Sequence, residues 1–297
     1  PAPYNTLYDP QKLPLPHRFN SQVAEEAVHP FFVPMFDSVT PADFVSGMPD
    51  LKPDEGTVQA LRAVYLGLAS EVDHHIGRVI TDLKQVGRYE DTLVIITADH
   101  GEMLGDRHAW GKMSVYNAAY HTPLIIRAPQ LQAQSGMQVQ LQTESVDIAP
   151  TILDWIGLDI PNSMDGRSLM PLINGEIPEN WRKFTFSELN FGHPLFPTEW
   201  QKQLGLSVDE CSLSILRDAQ FTLVEFAGDL PPLLFDHAKK GEFENVAEQA
   251  NYAPNLGRLT RQMLKFRMQN MDRSLALSAL TAQGPQTAFR HNNTKRA

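Results

Sequence analysis

Residues 92–102 read Thr-Leu-Val-Ile-Ile-Thr-Ala-Asp-His-Gly-Glu, an apolar and largely β-branched run that ends in polar side chains. Such a run predicts a strand that is buried on both faces of a sheet. Upstream of it, apolar residues from Leu61 to Leu83 recur at spacings of three and four and predict a long amphipathic helix that starts after Pro53. A helix followed by a buried strand is typical of a doubly wound α/β sheet.

Further segments extend this plan along the chain. A second apolar run at residues 123–127 predicts another strand, and residues 146–157 predict a helix that stops at Gly157. From about residue 180 alternating segments predict a small antiparallel sheet, and helical spacing predicts a C-terminal helix from about Asn255. We therefore expect a doubly wound mixed α/β sheet, followed by a small antiparallel sheet with a C-terminal helix.

We predict two domains in this chain of 297 residues. Residues 1–180 form the α/β domain, which opens with a Pro-rich loop over residues 1–55 that includes a short helix near residues 21–27. This loop either runs over the surface or forms a flap over a substrate pocket. Residues 181–297 form the small sheet, the C-terminal helix and a polar tail that we expect to be solvated and mobile.

Composition excludes several classes of protein. The chain carries 25 Lys and Arg against 35 Asp and Glu, a formal net charge of −10 that would repel a nucleic-acid backbone. An anionic small-molecule substrate would therefore need a local positive site. The single Cys211 excludes an intramolecular disulfide, and no apolar run reaches the roughly 18 residues of a membrane span. A lone cysteine is compatible with the cytoplasm but leaves the compartment open.

Asp99 and His100 follow the predicted strand directly, where ligands bind in open α/β sheets. A carboxylate oxygen and a neutral imidazole nitrogen together suit a divalent cation that keeps an open face for substrate. Gly101 would permit a sharp turn that points both side chains inward. The alternative interpretation is a helix cap beside a structural histidine.

Lys112 follows the Asp-His pair at a short remove, in the segment Gly-Lys-Met-Ser-Val-Tyr at residues 111–116. Its ammonium group could place a compact positive charge on an anion held by the same metal. Lys112 would then be the local positive site that an acidic chain needs. The alternative is an exposed lysine in a loop.

The order of these motifs resembles the second half of the sulfatase family in the alkaline-phosphatase superfamily. The matching segments are residues 92–106, Lys112, Tyr116, residues 121–129, residues 145–157 and residues 234–247. Within the family, the run Asp-His-Gly-Glu-Met-Leu-Gly is similar to choline sulfatases and phosphonate monoester hydrolases. The region around residues 233–236 and the long C-terminal arm are closer to arylsulfatases and phosphonate monoester hydrolases.

The resemblance implies an alkaline-phosphatase-like fold, present here in part, with residues 1–180 as the C-terminal part of the sulfatase catalytic domain. It also implies roles for three residues. Asp99 and His100 fall on metal-ligand positions, and Lys112 falls on a catalytic lysine that contacts the anionic oxygens of the substrate. The implied metal is Ca²⁺, Mg²⁺ or Mn²⁺. Glu102, His108 and His121 match no family role.

The nucleophile of the family is a formylglycine made from Cys or Ser in a C/S-x-P-x-R motif, which is absent from this sequence. Cys211 lacks the proline and arginine of that motif, and we interpret it as a buried apolar residue. The chain opens on Pro1 without an initiator Met. We therefore expect a C-terminal portion of a longer enzyme with its formylglycine upstream, and no measurable hydrolysis by this chain alone.

Three functions stay open at this point. The first is a metal-dependent sulfatase-type hydrolase of sulfate esters. The second is a phosphonate monoester or phosphodiester hydrolase, because sulfate and phosphonate monoesters both present a singly charged tetrahedral anion. The third is a non-catalytic subunit that keeps the fold. The expected partner is a small anionic ester, and the C-terminal arm could clasp a second copy in a homo-oligomer.

Overall fold

The computed structural model describes residues 1–129, 136–161, 163–239, 241–271 and 278–287. The helices, in chain order, are α1 (Gln22–Glu26), α2 (Phe32–Ser38), α3 (Glu55–Gln85), α4 (Asn117–Tyr120), α5 (Ile148–Trp155), α6 (Met170–Ile173), α7 (Glu199–Leu204) and α8 (Ala253–Asn270). The strands are β1 (Val94–Thr97), β2 (Leu124–Arg127), β3 (Phe184–Asn190), β4 (Ser212–Asp218), β5 (Phe221–Phe226), β6 (Leu233–Asp236), β7 (Ser278–Thr281) and β8 (Gly284–Thr287).

The chain divides into two compact units. Unit 1 comprises Pro1–Gln130, Glu188–Ser214 and Val224–Pro232. Unit 2 comprises Leu131–Ser187, Ile215–Leu223 and Leu233–Ala297. The domain division near residue 180 stays a prediction. Among the described residues, no helix combines the length and the apolar character that a membrane span needs.

The long helix predicted after Pro53 is α3, in unit 1. Asp54 caps its first turn, because the Asp54 carboxylate accepts the Thr57 N–H at 2.9 Å. The N-terminal segment packs on α3 so closely that a Cβ on Gly67 would lie 2.1 Å from the carbonyl oxygen of Tyr4. This segment therefore needs glycine at position 67.

The apolar stripe predicted for α3 is only partly buried. Val58 and Ala63 are buried, whereas Leu68, Val72 and Val79 are 46%, 58% and 60% exposed. The spacing thus identified the helix correctly. Part of the stripe is exposed, because the segments that pack on α3 cover only part of its length.

Strand β1 also differs from its prediction in burial. It pairs antiparallel with β2, with Val94 opposite Arg127 and Thr97 opposite Leu124. Val94, Ile95 and Ile96 are only half-buried, so burial on both faces is wrong. The reason is that β1 and β2 form a two-stranded sheet in the described part of the chain.

The small sheet predicted after residue 180 contains four strands in the order β3-β4-β5-β6. Strand and helix residues of unit 2 form one apolar cluster, in which Leu259 and Met263 of α8 are buried. The other buried members are Leu216, Phe221, Leu223, Leu234, Val246, Ala247 and Tyr252. The predicted antiparallel sheet with a C-terminal helix is confirmed.

The sequence analysis missed several elements: the helices α2, α4, α6 and α7 and the strands β7 and β8. Helix α2 lies within the segment predicted as a Pro-rich loop, and it buries Phe32 and Met35. Phe31, at its N-terminus, packs against Trp200 with ring centroids 5.4 Å apart. Strands β7 and β8 pair antiparallel within the predicted tail. Residues 288–297, the end of the predicted arm, lie outside the described residues.

The backbone after β1 runs directly against α4, in unit 1. The Gly101 N–H donates to the carbonyl oxygen of Ala119 at 2.9 Å. A Cβ on Gly101 would lie 1.9 Å from the carbonyl oxygen of Ala118. Gly101 does not have a positive φ. The glycine is therefore required by this close approach, and not by the sharp turn that the sequence analysis expected.

We expect Leu259→Ala to lower the free energy of unfolding by about 2–5 kcal/mol, because it opens a cavity in the cluster of unit 2. The matched control is Leu264→Ala on the same helix, where the side chain is 58% exposed. That control should change stability by less than about 0.5 kcal/mol. Denaturant unfolding measures both, and equal effects of the two substitutions would contradict this packing.

We expect Gly101→Ala to lower the free energy of unfolding by about 1–3 kcal/mol or more, because the new methyl group must push the backbone of α4 away. The matched control is Gly77→Ala in α3, where an added Cβ meets nothing within 4 Å. That change should raise stability by about 0.5–1 kcal/mol. A Gly101→Ala variant as stable as the wild type in thermal unfolding would contradict the close approach.

Candidate active site

Asp99 and His100 lie side by side where β1 ends. The Asp99 Oδ1 atom accepts the backbone N–H of His100 at 3.0 Å, and Oδ2 lies 3.4 Å from Nε2 of the imidazole. The Asp99 side chain is 86% exposed and that of His100 is 36% exposed. The structure thus brings these two predicted ligands together on an open surface.

The hydrogen bond at the other ring nitrogen determines what Nε2 of His100 can do. Nδ1 lies 2.8 Å from the carbonyl oxygen of Gly101, which can only accept, so Nδ1 carries a proton. In the neutral imidazole the lone pair is then on Nε2, beside Asp99 Oδ2. Both atoms are then open to a cation placed beside them. An Nδ1–H bond to a carbonyl is also the usual second contact of a metal-bound histidine.

The pair fits a divalent cation as part of a ligand set. A carboxylate oxygen and an imidazole nitrogen are ligands for hard divalent cations. Ca²⁺ and Mg²⁺ take about six or more ligands, so two protein donors are too few by themselves. Across the residues that the structure describes, no three His, Cys, Asp or Glu side chains gather at one such site.

Lys112 is exposed, and its ammonium group makes no ion pair with any described residue. Its backbone is held near the start of the same loop, because the N–H of the preceding Gly111 donates to Oε1 of Glu102 at 2.7 Å. The backbone of Lys112 therefore starts beside Glu102, two residues after His100. That its ammonium faces the Asp99–His100 pair stays a prediction.

Glu102 holds this loop together and was given no role by the sequence analysis. Its Oε1 atom accepts two backbone N–H groups, from Leu104 at 3.0 Å and from Gly111 at 2.7 Å. The Met103 N–H also donates to the carbonyl oxygen of Gly111 at 3.0 Å. The contact from Glu102 to Gly111 spans nine residues of irregular chain, and no local sequence pattern predicts it.

The same loop contains three non-glycine residues with left-handed backbone, Leu104, Arg107 and His108, with φ of 49°, 55° and 58°. Such conformations cost energy and persist where surrounding contacts impose them. The Leu104 carbonyl accepts from the Arg62 guanidinium at 2.9 Å, and the Arg107 N–H donates to the His17 carbonyl at 2.9 Å. His108 Nε2 donates to the Phe19 carbonyl at 2.9 Å.

A buried glutamate of the N-terminal segment lies beside the loop. Glu25 is fully buried, and its Oε2 atom lies 4.0 Å from the guanidinium of Arg107. Burial raises the pKa of Glu25, although the Phe19 N–H and Arg107 act in the opposite direction. The Arg107 guanidinium lies 5.0 Å over the ring of Tyr116. Sequence analysis missed Glu25, because its partner is distant along the chain.

Cys211 is buried, as expected from its sequence context. It packs so tightly that a Cβ on Gly192 would lie 2.6 Å from the Cys211 Cβ atom. Burial, together with the charge of Glu210, raises the pKa of the Cys211 thiol. A buried thiol of this kind is not a nucleophile.

Two family models match the chain. The model described as Sulfatase matches residues 16–158, which include the Asp99–His100 pair and Lys112. The model described as N-sulphoglucosamine sulphohydrolase, C-terminal, matches residues 105–269, more than half of the chain.

Proteins similar to this chain include sulfatases and phosphonate monoester hydrolases. The chain is 36% identical to the multifunctional alkaline phosphatase superfamily protein PehA of Trinickia caryophylli over 96% of this chain and 56% of that protein. It is 34% identical to arylsulfatase K of Bos taurus over 65% of this chain and 34% of that protein. A solved phosphonate monoester hydrolase from Silicibacter pomeroyi is 58% identical with a TM-score of 0.91, over 98% of this chain and 57% of the other.

The match to the solved hydrolase confirms the α/β, alkaline-phosphatase-like fold that the motifs implied. The chain spans 56% of PehA, 34% of arylsulfatase K and 57% of the solved hydrolase. Both family models and the order of the motifs agree along the chain. The chain therefore belongs to the sulfatase family of the alkaline phosphatase superfamily.

Proposed function

We propose that the protein containing this chain hydrolyses phosphonate monoesters at a site built around the Asp99–His100 pair. The observation that carries this proposal is the pairing of Asp99 Oδ2 with Nε2 of His100 at 3.4 Å, on the exposed end of β1. The 58% identity to a phosphonate monoester hydrolase over nearly the whole chain favours phosphonate esters. This ranks phosphonate ahead of sulfate, the reverse of the order in the sequence analysis.

In this proposal Asp99 and His100 hold a divalent cation. When bound, the cation would polarise an oxygen of the substrate and offset its negative charge. The Asp99 carboxylate offsets the charge of the cation, and the Nδ1–H bond of His100 to the Gly101 carbonyl keeps Nε2 free to bind it. Because Gly101 is fixed against α4, the imidazole has a rigid support.

Lys112 would bind an equatorial oxygen of the phosphonate group. Its ammonium is exposed and has no carboxylate partner among the described residues, so it is available to an anion. A preorganised positive charge stabilises the negative charge that develops on these oxygens in the transition state. Lys112 thus supplies the local positive site that a chain of net charge −10 needs.

The nucleophile in this proposal is a formylglycine carried by polypeptide outside these 297 residues. The C/S-x-P-x-R motif is absent here, and the buried Cys211, with its raised thiol pKa, cannot replace it. The relatives are nearly twice as long as the matched region, which is consistent with that arrangement. The proposal implies that this chain alone has no measurable turnover.

A second candidate is hydrolysis of sulfate monoesters by the same site. It is favoured by the match to the N-sulphoglucosamine sulphohydrolase C-terminal model and by the similarity to arylsulfatase K. Sulfate and phosphonate monoesters present the same charge and geometry to Asp99, His100 and Lys112. These three residues therefore do not discriminate between the two esters.

The substrate class can be tested with the complete gene product that contains this chain. We expect a larger kcat/KM for an aryl phenylphosphonate monoester than for the matching aryl sulfate, both measured with Mg²⁺, Ca²⁺ or Mn²⁺ present. A larger value for the sulfate would support the second candidate instead. No turnover of either ester, from a protein shown to be folded, would contradict both and support a non-catalytic subunit.

We expect Asp99→Asn and His100→Ala, in the complete protein, to lower kcat/KM by at least about 10²-fold and to weaken divalent-cation binding, because each removes a proposed ligand. The matched control is His75→Ala on α3. His75 is exposed, and its ion pair with Glu71 and its hydrogen bond with Arg78 both lie within that helix. Calorimetric titration with Mn²⁺ measures affinity independently of turnover. Wild-type Mn²⁺ affinity in both variants would contradict the ligand assignment.

A further inference from the structure

The residue that precedes Lys112 is hydrogen-bonded to the start of the loop that follows His100. Residues 102–111 form a loop whose two ends are joined by Glu102 Oε1 to the Gly111 N–H, at 2.7 Å, and by the Met103 N–H to the Gly111 carbonyl, at 3.0 Å. Lys112 is the next residue of the chain. Its backbone therefore leaves the loop beside the residues that follow His100.

The side that carries the Asp99–His100 pair is fixed independently. Gly101 donates to the Ala119 carbonyl at 2.9 Å and has no room for a side chain. The backbones of the Asp99–His100 pair and of Lys112 are thus connected by hydrogen bonds within the same part of unit 1. The Glu102 side chain provides the side-chain contact between these two parts, beside the backbone bond from Met103 to Gly111.

An ionised Glu102 near the proposed anion site would repel the substrate, so its hydrogen-bond partners matter. Its Oε1 atom accepts two backbone N–H groups, and hydrogen bonds to an ionised acceptor are short and strong. These donors partly offset the negative charge. A glutamine at this position would keep a carbonyl oxygen as acceptor, with weaker hydrogen bonds.

We propose that Glu102 is a positioning residue that sets the placement of Lys112 relative to the Asp99–His100 pair. This inference rests on the proposed function, and it names a determinant that acts only through Lys112. Glu102 itself contacts backbone groups of the loop. Removing its carboxylate should free the Gly111 N–H and leave the Met103 N–H bond to the Gly111 carbonyl, so that the attachment of Lys112 loosens.

The test uses Glu102→Ala and Glu102→Gln in the complete protein. We expect Glu102→Ala to abolish hydrogen-exchange protection at the Leu104 and Gly111 amides and to lower kcat/KM for the aryl phenylphosphonate by about 10²-fold, since a displacement near 1 Å has that cost. Glu102→Gln should retain protection and recover most of the activity, because it keeps the acceptor oxygen.

A matched control is Glu210→Ala. Glu210 accepts the Ser207 N–H at 2.8 Å, so this substitution removes the same kind of carboxylate-to-backbone contact elsewhere in unit 1. We expect kcat and KM within about twofold of wild type for this control. A loss like that of Glu102→Ala would show a general loss of stability and would overturn the proposal.

A double-mutant cycle separates positioning from structural support. If Glu102 acts through Lys112, then Glu102→Ala should cost little further activity in a Lys112→Ala background, whereas independent effects multiply. Multiplying losses, or retained amide protection in Glu102→Ala, would overturn the proposal. Absence of turnover in the wild type would refute the proposed function and any kinetic role for Glu102, while amide exchange would still report separately whether Glu102 anchors Gly111.

Discussion

The arrangement of the candidate site depends on one backbone contact, between Gly101 and α4. The Gly101 N–H binds the Ala119 carbonyl, and the space beside Ala118 admits no side chain at position 101. The carbonyl of Gly101 in turn accepts from Nδ1 of His100. One residue thus connects the main-chain packing of the unit to the tautomer of the imidazole. The chemistry proposed for His100 follows from this connection.

The loop after Gly101 is stabilised largely by groups that lie elsewhere in unit 1. Leu104, Arg107 and His108 have left-handed backbone, which is unfavourable for side chains of their size. Their backbone and side-chain groups bind Arg62, His17 and Phe19. The carboxyl group of the buried Glu25 lies 4.0 Å from the Arg107 guanidinium. Contacts from two distant segments therefore offset the local cost.

Local sequence patterns were sufficient for the elements that depend on neighbouring residues. The three-four spacing located α3, the apolar run located β1, and the alternating segments located the small sheet. The adjacency of Asp99 and His100 follows from their position after a strand. The exposure of Leu68 and Val72 could not be predicted in this way, because it depends on which distant segments cover the helix.

The roles of Glu25 and Glu102 and the presence of α2 could not be predicted for a related reason. Glu25 and Arg107 are 82 positions apart, and Glu102 reaches across an irregular loop to Gly111. Helix α2 contains Pro34 and lies among many prolines, so composition indicated a loop. Its burial of Phe32 and Met35 outweighs that local tendency.

The left-handed residues have a consequence for engineering in this family. A loop whose conformation is imposed by His17, Phe19 and Arg62 is not a self-contained module. Transplanting residues 101–116 into another scaffold would leave its backbone without those anchors, and the loop would relax. A chimaera that exchanges this loop between relatives must therefore also carry the segment around residues 17–25 and the arginine at position 62.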